Sequence, residues 1–303
     1  MRFINFNSRT NPAVRCGCVV GDMCVDLTRA AIAGGPIHFP IAIAKFEDVL
    51  RFDGGLALLQ DQLPKDSQLA PELHPFSIPL SEIKLAAPIL NPQKVIGIGF
   101  NYRDHAEETN TPLPKEPLFF AMFGSAITAT LEPIVKPAVT EMLDYEAELA
   151  VVIGKKGRRI PQSSALDHVA GYTIFNDVSA RNFQTTDSQW LRVKSFDSFA
   201  PMGPWMVTRD ELGDASGLSV SCRVNGEIRQ NSNTKYLIFD VPHIVSYISG
   251  VMTLQPGDVI ATGTPSGVGF ARKPQVFLKA GDVVEVEIER IGVLRNPVVN
   301  EVV

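Results

Sequence analysis

Glu146 and Glu148 stand two residues apart in the run Asp-Tyr-Glu-Ala-Glu-Leu-Ala-Val-Val-Ile-Gly, 144 to 154, which reads as a strand ending at Gly154. Successive strand side chains point to opposite faces, so residues at i and i+2 share one and these two carboxylates lie side by side. Like charges so placed repel. A cation between them removes that cost, and carboxylate oxygens suit a hard ion such as Mg²⁺, Mn²⁺ or Ca²⁺. A third oxygen ligand comes from Asp177: Gly171 to Phe175 reads as another strand, and Asn176-Asp177 closes it where a polar residue would N-cap a helix. If a helix begins there, Asp177, Arg181 and Gln184 fall at i, i+4 and i+7 and aim a carboxylate, a guanidinium and an amide from one face. The plainer alternative is a surface strand with two solvated glutamates beside an ordinary N-cap; Asp177 and its helical partners weigh against it.

A second constellation precedes this one. Lys94 to Gly99 reads as a buried strand running into Phe100-Asn101-Tyr102-Arg103-Asp104-His105-Ala106-Glu107-Glu108, which places His105 and Glu108 three apart on one face of a short helix. A histidine oriented by a carboxylate is a general-base arrangement, because imidazole titrates near neutrality. A solvated helix with an incidental pair is the competing reading. Gly97 and Gly99 do not make a dinucleotide fingerprint, since Tyr102 stands where the third glycine belongs. Farther on, Thr262 to Gly269 is a glycine-rich loop whose amides and hydroxyls could hold a carboxylate. It lacks the ends of a P-loop and of a nucleophile elbow, and it stays open between turn and anion site.

The positioning elements are mostly strands. Residues 2 to 6, 13 to 19 and 23 to 27 read as short strands and Phe46 to Leu63 as one helical segment interrupted at Gly54-Gly55. Pro64, Pro71, Pro75 and Pro79 mark a linker at about residues 64 to 90, which divides the chain into segments 1–75 and 76–303. Asn225-Gly226 signals a tight hairpin turn, and Asp240 with Pro242 opens a helix. Cys16, Cys18 and Cys24 have no Cys-x-x-Cys pair and no nearby fourth ligand, so small buried side chains explain them better than zinc.

At 303 residues, with 45% hydrophobic and 20% charged side chains, the chain can bury a large core. A net charge of -5 offers no footprint for nucleic acid, and no apolar stretch approaches a membrane span. The strand-like start at Met1 shows no leader, which makes the cytoplasm the default; a mitochondrial presequence removed from the chain would leave no trace.

Asn-Tyr-x-Asp-His at 101 to 105, Asp-Tyr-Glu-x-Glu-Leu at 144 to 149, Asn-Asp-Val-Ser-Ala-Arg at 176 to 181, Lys-Ser-Phe-Asp at 194 to 197 and Thr-Gly-Thr-Pro-x-Gly-Val-Gly at 262 to 269 together resemble the fumarylacetoacetate hydrolase family. The likeness runs from about residue 90 to the C-terminus. It implies an α+β, β-rich fold: a mixed β-roll catalytic domain, a small β-rich N-terminal domain, and a homodimer. By matching position, Glu146, Glu148 and Asp177 would hold Mg²⁺ or Mn²⁺, and His105 and Glu108 would form the base on a lid. Arg181, Gln184, Lys194 and Thr264 would line the substrate pocket, with Lys194 counted among the catalytic groups. Asn182 and Met122 depart from the family's frequent Asp and Lys, which bears on pocket polarity.

The chemistry this implies starts from a small 2-oxo acid that chelates the ion through its carboxylate and keto oxygens, so that the ion stabilises an enolate. Proton shuttling then gives keto-enol tautomerisation of an oxaloacetate-type acid, activated water gives C–C hydrolysis of an acylpyruvate, and loss of CO₂ gives decarboxylation. A dehydratase or isomerase would use the same enolate. A metal-stabilised binding protein without turnover would need the three carboxylates but not His105 and Glu108.

Overall fold

Ala147–Ile153 and Val169–Asn176 are buried along their whole length, which is why both read as unbroken apolar runs. They pair antiparallel at the centre of a large mixed sheet. The computed structural model describes residues 1–302 except 9, 10, 33, 67, 185 and 188.

Among the described residues this sheet has 12 strands. From one edge they run Ser77–Pro79, Met23–Asp26, Asn11–Val20, Arg2–Ser8, Ala200–Thr208, Val169–Asn176, Ala147–Ile153, Val259–Ala261, Val95–Gly99 and Leu118–Met122, with Ile83–Ala86 and Ile127–Thr128 paired off this path. Val259–Ala261 lies parallel to Val95–Gly99, so the loop after the first and the turn after the second leave the same end of the sheet. That brings the glycine-rich loop beside the His105 helix. A second sheet of five strands packs on the first. Its strand Val283–Ile288 alternates, with Val284, Val286 and Ile288 buried and Glu285 and Glu287 less so, the pattern of a sheet covered on one face. The fold is α+β and strand-rich.

Two local expectations hold. Asn225 and Gly226 both have positive φ, 53° and 80°, in the turn between Ser219–Val224 and Glu227–Asn233. Asp240 accepts a hydrogen bond from His243 N at 2.8 Å and caps the helix Val241–Val251, which buries Val241, Ile244, Val245 and Ile248 at helical spacing. The cysteines are buried and unpaired, as small core side chains.

The linker is different from its expectation. Ser77–Pro79 pairs with Met23–Val25, and Ile83–Ala86 pairs with Asn5–Ser8, so the proline-punctuated stretch adds strands to the sheet. Prolines exclude a regular helix, but Pro79 sits on an edge strand, where a missing N–H costs no ladder bond. Phe46 to Leu63 is two short helices, Phe46–Arg51 and Gly55–Gln60, broken where Gly54 takes φ 70°. One sheet and one main core cluster span the division expected at residue 75.

A buried carboxylate ties the first helix to the start of the larger segment. Glu47 accepts from Leu90 N at 2.7 Å, Asn91 N at 3.0 Å and Asn5 Nδ2 at 3.2 Å, while Asn5 Oδ1 accepts from Phe46 N at 2.8 Å. Glu47→Leu would leave the Leu90 and Asn91 amides without this acceptor, each worth about 1–3 kcal/mol, while Asn5 Nδ2 keeps Ala87 O and Pro88 O. We predict a loss of at least about 2 kcal/mol, read from the urea unfolding midpoint.

Candidate metal centre and active site

Glu146, Glu148 and Asp177 offer one oxygen each within 4.8 Å of one another, all three side chains buried. The sheet makes this trio. Ala147 pairs with Asn176, so the start of one central strand lies beside the end of its neighbour, and Asp177 N donates to Glu146 O at 2.9 Å. The expected strand from Asp144 is interrupted, because Asn176 Oδ1 takes Glu146 N at 3.0 Å and Gln230 Oε1 takes Ala147 N at 2.9 Å. Both glutamates still turn to the same cavity.

No helix follows Asp177. Arg181 N, which a helix would direct to Asp177 O, donates to Met142 O at 2.9 Å, and Ser179–Ala180 pairs with Leu143–Asp144 as a short ladder. Arg181 and Gln184 therefore reach the site from a single 3₁₀ turn, Arg181–Phe183, and its end. The side chains converge even so. Arg181 Nε meets Asp144 Oδ2 at 2.9 Å, one terminal nitrogen meets Glu146 Oε1 at 2.6 Å, and the other meets Gln184 Oε1 at 3.1 Å. Lys194 Nζ bridges Glu146 Oε2 and Asp177 Oδ2, each at 2.8 Å.

His105 and Glu108 do share a face of the helix Arg103–Glu108, with His105 Nδ1 3.0 Å from Glu108 Oε2. The glycine-rich loop holds carboxylates, but they are the protein's own: Gly263 N donates to Glu148 at 2.7 Å, Gly267 N to Glu108 at 2.8 Å and Gly269 N to Asp144 at 2.7 Å. Gly263 has φ 102°, and a Cβ there would stand 2.8 Å from Asn101 Cβ, so the loop's close approach needs glycine. Thr264 Oγ1 donates to Ala147 O at 3.1 Å and accepts from Gln230 Nε2 at 2.8 Å. His105, Glu146, Glu148, Asp177, Arg181, Gln184, Lys194 and Thr264 all line one cavity of about 40 Å³, and Glu108 stands behind His105. Asn182 and Met122 lie outside it, Asn182 bonding to Val139 O and Met122 packing into the core.

Asp144 and Gln230 escaped the sequence reading. Asp144 lies two residues before Glu146, so the same alternation argument pointed to it. Gln230 sits on a strand of the second sheet and has no local signal.

Residues 94–299 match the family described as fumarylacetoacetate (FAA) hydrolase C-terminal. The chain belongs to the fumarylacetoacetate hydrolase family. The mitochondrial oxaloacetate tautomerase fahd2 of Xenopus laevis is 45% identical over 303 residues, covering 99% of this chain and 90% of its own length. Among solved structures, the fumarylacetoacetate hydrolase of Exiguobacterium antarcticum aligns with TM-score 0.83 at 37% identity, over 99% of this chain and 100% of that one. The maleylpyruvate hydrolase of Sphingobium sp. SYK-6, solved with manganese(II) and pyruvate, aligns with TM-score 0.77 at 32% identity over 100% of both chains.

The electrostatics of this family member are those of a site short of positive charge. Among the described residues, Asp144, Glu146, Glu148 and Asp177 are buried and pair with two cations, Arg181 and Lys194. Burial opposes ionisation of Glu146, but Lys194 and Arg181 outweigh it and hold its pKa down to about 2. Burial, then the charges of Asp177 and Glu146, push Glu148 well above the carboxylate range. Burial likewise pushes Asp177 up to about 7, against the pull of Lys194. Burial works against charged Lys194, yet Asp177 and Glu146 raise its pKa, so it remains a cation. Asp177 Oδ1 is buried with no hydrogen-bond partner. An oxygen-ligated divalent cation fits: it would fill the orphaned valence and match the two uncompensated charges.

Without a cation, Glu148 and Asp177 keep their protons to higher pH folded than unfolded, so stability is lost as pH rises through the Asp177 value of about 7. Divalent-cation binding must displace those protons. Chelator-treated protein should melt lower at about pH 8 than at about pH 6, and the rise in Tm on adding Mn²⁺ should be larger at the higher pH. Scanning fluorimetry at both pH values checks it; a rise that shrinks with pH would contradict this charge balance.

Proposed function

We propose that this protein is a divalent-metal-dependent enzyme of small 2-oxo acids, that Mg²⁺ or Mn²⁺ is held by Glu146, Glu148 and Asp177, and that its reaction is keto-enol tautomerisation of an oxaloacetate-type acid. The observation that carries this reading is the orphaned oxygen of Asp177 in a buried carboxylate trio, sharing one cavity with a histidine paired to glutamate. A site that served only folding has no use for that pair. The tautomerase relative supports the choice of reaction.

When bound, the ion supplies electrophilic stabilisation of an enolate oxygen. Lys194 and Arg181 hold Glu146 in place and keep it ionised. Glu108 engages His105 Nδ1, which leaves Nε2 to exchange a proton with the carbon beside the substrate's keto group. Gly267 N fixes the other oxygen of Glu108, so the base is aligned by the same loop that places Thr264 and Glu148. Gln184 and Thr264 offer neutral polar contacts to the substrate.

Hydrolysis of an acylpyruvate is the second reading, favoured by the likeness to the maleylpyruvate hydrolase with manganese(II) and pyruvate. It would use His105 and Glu108 to activate water. Following oxaloacetate and acetylpyruvate by absorbance, with Mg²⁺ and with a chelator, separates the two.

His105→Ala should lower turnover by about two to four orders of magnitude and leave Mn²⁺ affinity nearly unchanged, since a hard ion held by carboxylates gains little from imidazole. Calorimetry beside steady-state rates tests both halves; full activity in this variant removes the proposed base. Glu148→Gln should instead weaken Mg²⁺ binding, and unaltered affinity would show that the ligand set is different.

We further propose a homodimer assembled through residues 76–303, as the family resemblance implies. Light scattering at micromolar concentration should report twice the chain mass, and a monomer would refute it.

A further inference from the structure

The cavity that holds the carboxylates is also lined by three aromatic rings, Phe100, Phe120 and Trp190, which make an apolar wall. Trp190 meets Phe120 edge-on at 5.2 Å between centroids and Phe100 at 5.6 Å. Two glycines make room for this wall: a Cβ at Gly99 would stand 2.6 Å from the Trp190 ring, and one at Gly97 would stand 2.3 Å from Phe120. Phe100 is held at φ 52°, a left-handed conformation uncommon outside glycine, and its ring stacks on His105 at 6.3 Å.

Beside the wall lies an open groove of about 420 Å³ at the edge strand Leu118–Met122, and Phe120 and Trp190 are the residues that line both it and the inner cavity. Its other walls are Leu118, Phe119, Ala121, Leu191 and Gln189, with no cation among them. The inner cavity, about 40 Å³, has room for about three waters, and its two cations are already engaged by carboxylates.

We propose that Trp190 with Phe120 is a partition that sets the length of acid the enzyme accepts, and that the outer groove is a subsite for an apolar acyl tail. This rests on the 2-oxo acid reading above. With the partition closed, only short acids fit beyond the chelating end. With Trp190 displaced, the cavity and the groove join and a straight aliphatic chain can extend from the ion site between Leu118, Phe119 and Leu191. A tail ending in a carboxylate would meet no cation there, so the class admitted is alkyl acylpyruvates rather than longer diacids.

The test compares acetylpyruvate, butyrylpyruvate and hexanoylpyruvate on the Mn²⁺-loaded enzyme. In Trp190→Ala the ratio of kcat/KM for hexanoylpyruvate to that for acetylpyruvate should rise at least about tenfold, the scale of methylene discrimination in an apolar pocket. Trp190→Phe should move it less. Gly99→Ala, whose new methyl must push the Trp190 ring aside, should shift the ratio the same way and covers the case in which Trp190→Ala fails to fold. A ratio unchanged in the folded variants, or a wild type that already takes hexanoylpyruvate as readily as acetylpyruvate, overturns the partition. Inactivity of the wild type on these acids and on oxaloacetate would instead count against the reading of the reaction. The ratio of calorimetric affinities for the same acids then decides the partition on the same criterion.

Discussion

The site depends on an imbalance of charge in a dry place. Four buried carboxylates face two buried cations, and each unscreened charge in such surroundings costs on the order of several kcal/mol. Arg181 pairs with Asp144 and Glu146, and Lys194 with Glu146 and Asp177, yet burial and their neighbours' charges still leave Glu148 and Asp177 unable to ionise cheaply side by side. A fold that brings these groups together keeps them only if something compensates. Protons do so below the Asp177 value of about 7, and an oxygen-seeking divalent ion would do so above it. Lys194 therefore shapes the carboxylate cluster from within, since it lines up Glu146 and Asp177 without occupying the remaining valence of Asp177.

The glycine-rich loop answers the same constraint from the other side. Backbone amides of Gly263, Gly267 and Gly269 reach Glu148, Glu108 and Asp144, so one loop aligns a member of the carboxylate trio, the partner of His105 and the anchor of Arg181. Amides carry no titratable proton and no flexible stem, and they hold carboxylates at fixed distance without closing off their second oxygens. Such contact requires the backbone to come close, and glycine is the residue that permits it at Gly263. The aromatic wall uses the same device, with Gly97 and Gly99 letting Phe120 and Trp190 lie against a strand. Two parts of one cavity's lining thus owe their shape to missing side chains.

What was legible in the sequence was whatever is local to one element. Alternation along a strand determines that Glu146 and Glu148 share a face, and a helical turn determines that His105 can reach Glu108, whatever the rest of the chain does. The Asn225-Gly226 turn and the Asp240 cap are of the same kind, because their φ preferences and capping bonds involve only neighbours. Tertiary structure decided the rest. Asp177 and Arg181 looked like one helical face, yet they meet because residues 179–180 pair with 143–144 and Arg181 N bonds to Met142 O. The proline-punctuated stretch looked like a linker, yet its strands find partners at Asn5–Ser8 and Met23–Val25. Gln230 and the loop amides act on carboxylates far away in sequence. The reason is common to all of these: periodicity records which side chains point together, but a backbone donor takes whichever acceptor the packed sheet places opposite it, and that acceptor belongs to another part of the chain.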